Sequence, residues 1–228
     1  MVRGVGSASE DEAHRSLVDL CRRYWVPVYA YVRRCGHPEQ SAAALVQTYL
    51  SDTVRQIRAS GPVVEAGFRE FLQHNLERFL ASDWTRLDCA PPMEEMAPPW
   101  PLDEIERRQR QDHLAHATPA QAFQRAFALE LLAQALESLR AEAASCDREL
   151  MFDAVRPYLT REPAPGEYAQ LAQRLQCSPL ATVIAIKRLR QRYHELVEEQ
   201  LTQIVGGRDA FDTERNVLLS MLSESHSP

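Results

Sequence analysis

EYAQLAQRLQCSPLATVIAIKRLRQRY, residues 167–193, is the stretch whose reading decides the fold. Leu171, Ala172 and Leu175 fall at i, i+1 and i+4, the spacing of one apolar helix face. Gln176-Cys177 fills a tight turn. Ser178 then stands as an N-cap, with Pro179 at the first helical position, where a missing N–H costs nothing. The second helix places Thr182, Ala185, Ile186 and Leu189 on one stripe. A basic ladder of Lys187, Arg188, Arg190 and Arg192 closes it. Small residues at Ala172 and Ala181 let two helices cross closely. This is the pattern of a helix-turn-helix, in which the second helix reads a DNA groove.

Working outward, charge singles out the same region. The chain carries a net charge of −6, which argues against a protein that coats nucleic acid. Residues 156–195 depart from that average, with Arg156, Arg161, Arg174, Lys187, Arg188, Arg190 and Arg192 set against Glu162, Glu167 and Glu195. From Leu196 onward the balance reverses, since Arg208 and Arg215 face Glu198, Glu199, Asp209, Asp212, Glu214 and Glu224. The acidic tail is therefore a candidate shield for the basic helix, or a surface for a partner. Lys187 is the sole lysine, so every other basic side chain is arginine.

Helical periodicity continues upstream, and no strand pattern of any length appears. The spacing predicts a helix from Glu10 to Tyr24 with Leu17, Leu20 and Tyr24 inward, after a disordered segment 1–9. Pro27 opens a second helical stretch that Gly36 ends. Residues 39–58 predict a third helix, with Ala42, Leu45, Val46, Tyr49, Leu50 and Val54 at helical spacing. A fourth spans 64–83, burying Phe68, Phe71, Leu72, Leu76, Phe79 and Leu80, with Trp84 at its end. The segment DCAPPMEEMAPPWP, residues 88–101, holds five prolines and excludes regular helix. Thr118-Pro119 caps a long helix that runs through Phe123, Phe127, Leu131, Leu132, Ala135, Leu136 and Leu139. Asp147 is the expected cap of the next, with Leu150, Met151, Ala154, Val155 and Leu159 inward. A last helix near 211–222 carries Phe211, Val217, Leu218 and Leu222. The expected architecture is all-α. A helical domain at 10–87 and a helix-turn-helix domain at 118–205 flank a proline-rich linker at 88–117, and an acidic helix and tail occupy 206–228.

Other chemistries find little purchase. Five scattered cysteines lack any CxxC spacing, so free buried thiols are expected rather than a disulfide framework or zinc site. His14 and Cys21 supply two ligands, too few for structural zinc. His74 and Glu77, three residues apart on the fourth helix, read as a solvated face. No glycine-rich phosphate loop, HExxH or nucleophile motif is present, so no enzyme, catalytic residue, metal or cofactor is expected. No apolar run approaches the ~18 residues a membrane helix requires, and the N-terminus lacks the apolar core of a secretory signal. A cytoplasmic, nucleoid-associated protein without membrane partners is expected.

Several blocks, taken in order, resemble the extracytoplasmic-function type of bacterial RNA polymerase sigma factor. They are LCRRYWVPVYAYVRRCGH (20–37), FREFLQHNLERFLASDW (68–84), LELLAQALESLRAE (129–142), MFDAVRPYLT (151–160), YAQLAQRL (168–175) and IKRLRQRYHELVEEQL (186–201). The resemblance covers roughly 15–222. It implies an N-terminal lobe, region 2, that binds the clamp of core RNA polymerase and melts the −10 element. It also implies a C-terminal lobe, region 4, that reads the −35 element and touches the flap. On that basis Ser178, Thr182, Lys187, Arg188, Arg190 and Arg192 are the candidate −35 contacts. Arg78, Trp84 and Arg86 would lie near the melted strand, and Ser41, Ala44, Leu45, Gln47 and Thr48 would face the clamp. Core polymerase, promoter DNA and an anti-sigma or other regulatory protein are the partners implied.

Three departures accompany the matches. Where the family's third helix reads like EDAQDLTQE, this chain has QSAAALVQT, so Ser41, Ala44 and Thr48 replace acids that meet the clamp's basic residues. The basic run expected after the fourth helix is TRLDCAPPMEE. On the recognition helix, Pro179, Leu180 and Val183 take positions that are often polar. These departures keep a second expectation open, a sigma-fold protein that has become a protein-binding adaptor.

Overall fold

The computed structural model describes residues 4–60, 68–82, 91–111 and 117–204. Among these the chain is all-α. The helices are α1 Gly4–Arg23, α2 Trp25–Arg34, α3 Glu39–Ser60, α4 Phe68–Ala81, α5 Leu102–Gln111, α6 Pro119–Ser145, α7 Glu149–Val155, α8 Glu167–Arg174 and α9 Pro179–Ile204. Short 3-10 turns occur at Glu94–Met96 and Arg156–Tyr158, and no strand occurs among the described residues. The expected helix at 211–222 lies outside them. No helix among them is long and apolar enough to cross a membrane.

Two compact units divide the chain, Leu131–Gln203 forming the second and the residues on either side of it the first, so that one boundary falls inside α6 between Glu130 and Leu131. Of the expected linker at 88–117, residues 91–111 are described, and they pack on the first unit. Five prolines do forbid regular helix over 88–101, but they do not forbid packing. Met96 is fully buried, and its carbonyl accepts the indole N–H of Trp25 at 3.0 Å. The charged segment that follows forms α5, whose Ile105 and Glu106 are buried. Residues 91–111 therefore form a strap bound to the first unit.

In that unit α1 and α2 both pack on α3. Tyr24, Trp25, Val28, Tyr29 and Val32 are buried on the first side, and Ala42, Leu45, Val46, Tyr49, Leu50 and Val54 on the other. The aromatic rings are organised as pairs. Tyr24 stacks on Phe127 at 5.2 Å and meets Phe68 edge-on at 5.4 Å, while Trp25 stacks on Tyr29 at 5.1 Å. Tyr49 Oη donates to the Leu72 carbonyl at 2.6 Å, which ties α3 to α4. On α4, Phe68, Leu72 and Leu76 are buried as expected, whereas Phe71, Phe79 and Leu80 are half-buried.

Some local expectations shift. α1 begins at Gly4, so residues 4–9 are helical rather than disordered. Once a stripe is anchored, extending a helix costs only each residue's propensity. That stripe is rotated by about one residue, with Val18 and Cys21 buried and Leu17 and Leu20 half-buried. Burial pushes the Cys21 thiol up to about 12. Cys35 and Cys146 are exposed, which corrects the expectation of buried thiols at those two positions. Pro27 sits in the first turn of α2, where its absent N–H breaks no helical bond.

The second unit, Leu131–Gln203, has two apolar clusters. Ala135, Leu139, Phe152 and Leu196 form one; Ala154, Val155, Tyr158, Leu171 and Ile186 form the other. Asp147 does not cap α7. It closes α6 with φ +55, its N–H bonding to the Ala144 carbonyl and that of Arg148 to the Ala143 carbonyl. This is the paired bond pattern of a left-handed helix C-terminus. Leu150, expected inward, is 84% exposed, and Phe152 takes the core position instead.

Candidate nucleic-acid interface

The helix-turn-helix is built from local bonds that the sequence dictates. Glu167 begins α8 after Gly166, whose φ of +91 suits glycine. The Glu167 carboxylate accepts two bonds from Arg161, at 2.7 and 2.9 Å, and one from the Ala164 N–H at 2.7 Å. Arg161 holds this exposed carboxyl down at about 2. α8 ends in the same paired pattern as α6. The Cys177 N–H bonds to the Ala172 carbonyl at 2.9 Å and the Gln176 N–H to that of Gln173 at 3.2 Å, with Gln176 at φ +52. An L side chain at such a position is strained. Gln176→Gly is therefore expected to stabilise the second unit by about 1 kcal/mol in urea unfolding followed by circular dichroism; a loss of stability would contradict that account of the turn.

Ser178 caps α9 as expected, its hydroxyl accepting the Ala181 N–H at 3.1 Å. Leu171, Ala172, Thr182 and Ile186 form the buried seat where the two helices meet. Thr182 is thereby corrected as a DNA contact. It is fully buried, its hydroxyl donating to the Ser178 carbonyl at 3.4 Å and lying 3.4 Å from Cys177 Sγ. The resemblance made it a candidate contact, but its place on the stripe with Ile186 turns it inward.

The basic ladder separates into two pairs. Arg190 Nε donates to the Tyr158 carbonyl at 2.8 Å, Nη2 donates to that of Arg161 at 2.7 Å, and Nη1 bonds Glu162. Arg192 bridges Glu142 at 2.6 and 2.9 Å and reaches Glu199 at 2.9 Å and Glu195 at 3.1 Å. Hydrogen bonds to Glu142, Glu199 and Glu195 push the Arg192 guanidinium up, and the same bond from Arg192 holds Glu142 down. Both arginines, expected as DNA contacts, are held by these bonds within the second unit. Lys187 and Arg188 are exposed and unpartnered among the described residues, and so is Arg174 on α8. The outer face of α9 also presents Leu180 at 69%, Val183 at 41% and Ile184 at 42% exposure.

Of the residues expected near the melted strand, Arg78 is exposed in the last turn of α4. Trp84 and Arg86 lie outside the described residues. On α3, Ser41 and Ala44 are exposed and Thr48 is half-buried. Leu45 is corrected: it is 3% exposed and belongs to the core. Gln47 is engaged by the strap, its Nε2 donating to the Met93 carbonyl at 3.2 Å. Ser51 reinforces this seat, accepting the Met93 N–H at 2.8 Å while donating to the Gln47 carbonyl at 2.6 Å. Arg55 bonds the Pro91 carbonyl.

The strap's far end is locked by Glu106, which the sequence reading passed over. Tyr29 Oη donates to Glu106 Oε1 at 2.8 Å, and Arg33 donates to both carboxylate oxygens at 2.5 and 3.2 Å. Burial pushes this carboxyl up, but the bonds from Arg33 and Tyr29 outweigh it and hold the group below its ordinary value. No local pattern separates Glu106 from Glu104 on the other side of Ile105; only the approach of Tyr29 and Arg33 from α2 does.

Compared with models of known families, with curated proteins and with solved structures, the chain matches none. Among the described residues no group of three or more His, Cys, Asp or Glu side chains is placed to hold a metal ion.

Proposed function

We propose that this chain is a sigma-like transcription initiation factor, whose second unit binds promoter DNA and whose first unit docks on core RNA polymerase. One observation carries the reading. α8 and α9 form a capped helix-turn-helix whose second helix projects Lys187 and Arg188 outward without carboxylate partners among the described residues. Cations so placed at the exposed side of a recognition helix neutralise backbone phosphates, and they give DNA affinity a salt dependence. In the terms of the resemblance, the second unit would read the −35 element. The first would take the −10 strand beside Arg78, and the clamp beside Ser41, Ala44 and Thr48.

The test is reconstitution of the full chain with bacterial core polymerase. The reading expects co-purification with core and a transcript that depends on the promoter; the absence of both would sink it. Ser41 and Ala44 are exposed on α3, so restoring charge there probes the clamp-facing surface. Ser41→Asp with Ala44→Asp is expected to tighten core binding by on the order of 1 kcal/mol, measured by fluorescence titration. Unchanged affinity would count against α3 as the docking helix.

A second reading, a sigma-fold adaptor that binds protein, is favoured by the apolar side chains Leu180, Val183 and Ile184 on the exposed face of α9. It expects neither core binding nor promoter dependence.

A further inference from the structure

We propose that the N-terminal arm of the strap, residues 91–95, is an autoinhibitory cover over the polymerase-facing side of α3, which core polymerase must lift in order to dock. This rests on the reading of α3 as the docking helix and adds its regulation.

Three α3 side chains hold the arm. Gln47 Nε2 donates to the Met93 carbonyl at 3.2 Å, Ser51 Oγ accepts the Met93 N–H at 2.8 Å, and Arg55 bonds the Pro91 carbonyl. These residues stand at i, i+4 and i+8. At about 100° per residue they share one arc of about 120° with Ser41, Ala44 and Thr48. The buried stripe of Ala42, Val46, Tyr49 and Thr53 lies opposite. Burial along the outer arc is uneven. Ser41 and Ala44, ahead of the arm, are exposed, whereas Ser51 beneath it is fully buried. A small polar residue on the outer face of a helix is buried only when something covers it. The arm covers about 12 Å of α3, from Gln47 to Arg55. A partner helix about 10 Å across, laid along α3 from Ser41, meets Met93 within two turns. Arm and clamp therefore cannot occupy this arc together.

The arm can open without the rest of the strap. Met96, Ile105 and Glu106 are buried, and Trp25, Tyr29 and Arg33 bond that part of it. Pro91, Pro92, Glu94 and Glu95 are exposed and Met93 is half-buried, so lifting the arm withdraws no fully buried side chain. What opening breaks is the set of bonds to α3. Water replaces them, so each favours the closed state by only roughly fivefold. Segments held in this way open locally while the core stays folded. The apparent affinity for core is then reduced by the fraction of molecules that are open.

Met93→Pro tests the cover without altering α3. Met93 has φ −72 and ψ 137, which proline adopts, so the backbone is kept while the N–H bonded to Ser51 is replaced by a ring carbon. The full chains are titrated against bacterial core polymerase by fluorescence, with circular dichroism as the folding control. Met93→Pro should bind roughly fivefold more tightly than wild type. Ser51→Ala removes the same bond from the other side and should tighten binding equally; it carries the test where Met93→Pro does not fold. Opening is read separately by alkylation of the thiol introduced by Ser51→Cys, with exposed Cys35 as the reference. Adding Met93→Pro should speed that reaction roughly fivefold and leave Cys35 unchanged. If the thiol at position 51 reacts no faster, the arm does not lift and the proposal is overturned. If it reacts faster while core binds wild type and Met93→Pro alike, autoinhibition fails and docking through α3 stands. Weaker binding by Met93→Pro also overturns it, by making the arm, with Glu94 and Glu95 exposed on it, part of the docking surface. Absence of core binding by every chain, with the arm shown to be open, removes the docking reading and autoinhibition with it.

Discussion

Glu106→Ala is expected to lower the stability of the first unit by about 3 kcal/mol, because it leaves a guanidinium and a phenol without their acceptor. Glu106 is 8% exposed, and its carboxylate takes three bonds from Tyr29 and Arg33. Removing one member of such a pair costs more than forming it gains, since the remaining charge stays partly desolvated. The Arg33 bond to the His37 carbonyl at 2.6 Å survives and limits the loss. All three tryptophans, Trp25, Trp84 and Trp100, precede Leu131, so urea unfolding followed by tryptophan fluorescence reports this unit separately. An unchanged midpoint would remove the strap's anchor from the account. The pH dependence has a definite sign. The folded carboxyl is held below its ordinary value, so its stabilisation is complete above the unfolded carboxyl range near 4.5. It is lost as pH falls through the lower folded value. Glu106→Gln keeps an acceptor for Tyr29 but removes the charge. It should unfold at intermediate urea and lose this part of the acid sensitivity.

Lys187→Ala with Arg188→Ala should weaken binding to duplex DNA by roughly 10- to 100-fold near 0.1 M salt, and reduce the salt slope by about 2. These two cations are exposed and have no partner among the described residues, and each phosphate they neutralise releases counterions. Arg190→Ala should behave differently. It removes bonds to the Tyr158 and Arg161 carbonyls and to Glu162, so its effect is a loss of about 2 kcal/mol in stability of the second unit. Where that variant stays folded, its DNA affinity should be close to wild type. Fluorescence anisotropy across a salt series, with circular dichroism as the folding control, separates the two outcomes. A folded Arg190→Ala chain that loses DNA, beside a Lys187/Arg188 variant that keeps it, would reverse the assignment. Because Lys187 is the sole lysine, amine acylation reports on it and the N-terminus alone, and bound DNA should slow its reaction.

The parts of the fold legible in the sequence are those set by near neighbours. Ser178 bonding the Ala181 N–H needs only the next turn of chain. Thr118 and Gln121 form a reciprocal capping pair, at 2.9 and 3.3 Å, within one helical turn. The buried set on α3 follows from 3.6-residue periodicity and holds at every position expected of it. At Thr182 the resemblance implied a contact, while the stripe it shares with Ile186 put it in the core.

What the sequence alone determined was an all-α chain with a helix-turn-helix at 167–193, because caps, turns and periodic stripes are decided within a few residues. Which charges remain free was decided only by the tertiary structure. Glu142 lies fifty residues from Arg192, and Glu162 lies twenty-eight from Arg190, yet each takes its arginine out of the ladder. The proline-rich segment likewise became a strap rather than a tether, because Trp25, Gln47 and Ser51 present hydrogen-bonding partners to it from distant helices. Ion pairs and carbonyl bonds between remote segments depend on how helices approach one another, and no local pattern encodes that. The helix-turn-helix is therefore a property of residues 167–193, whereas its reduction to Lys187 and Arg188 is a property of the folded unit.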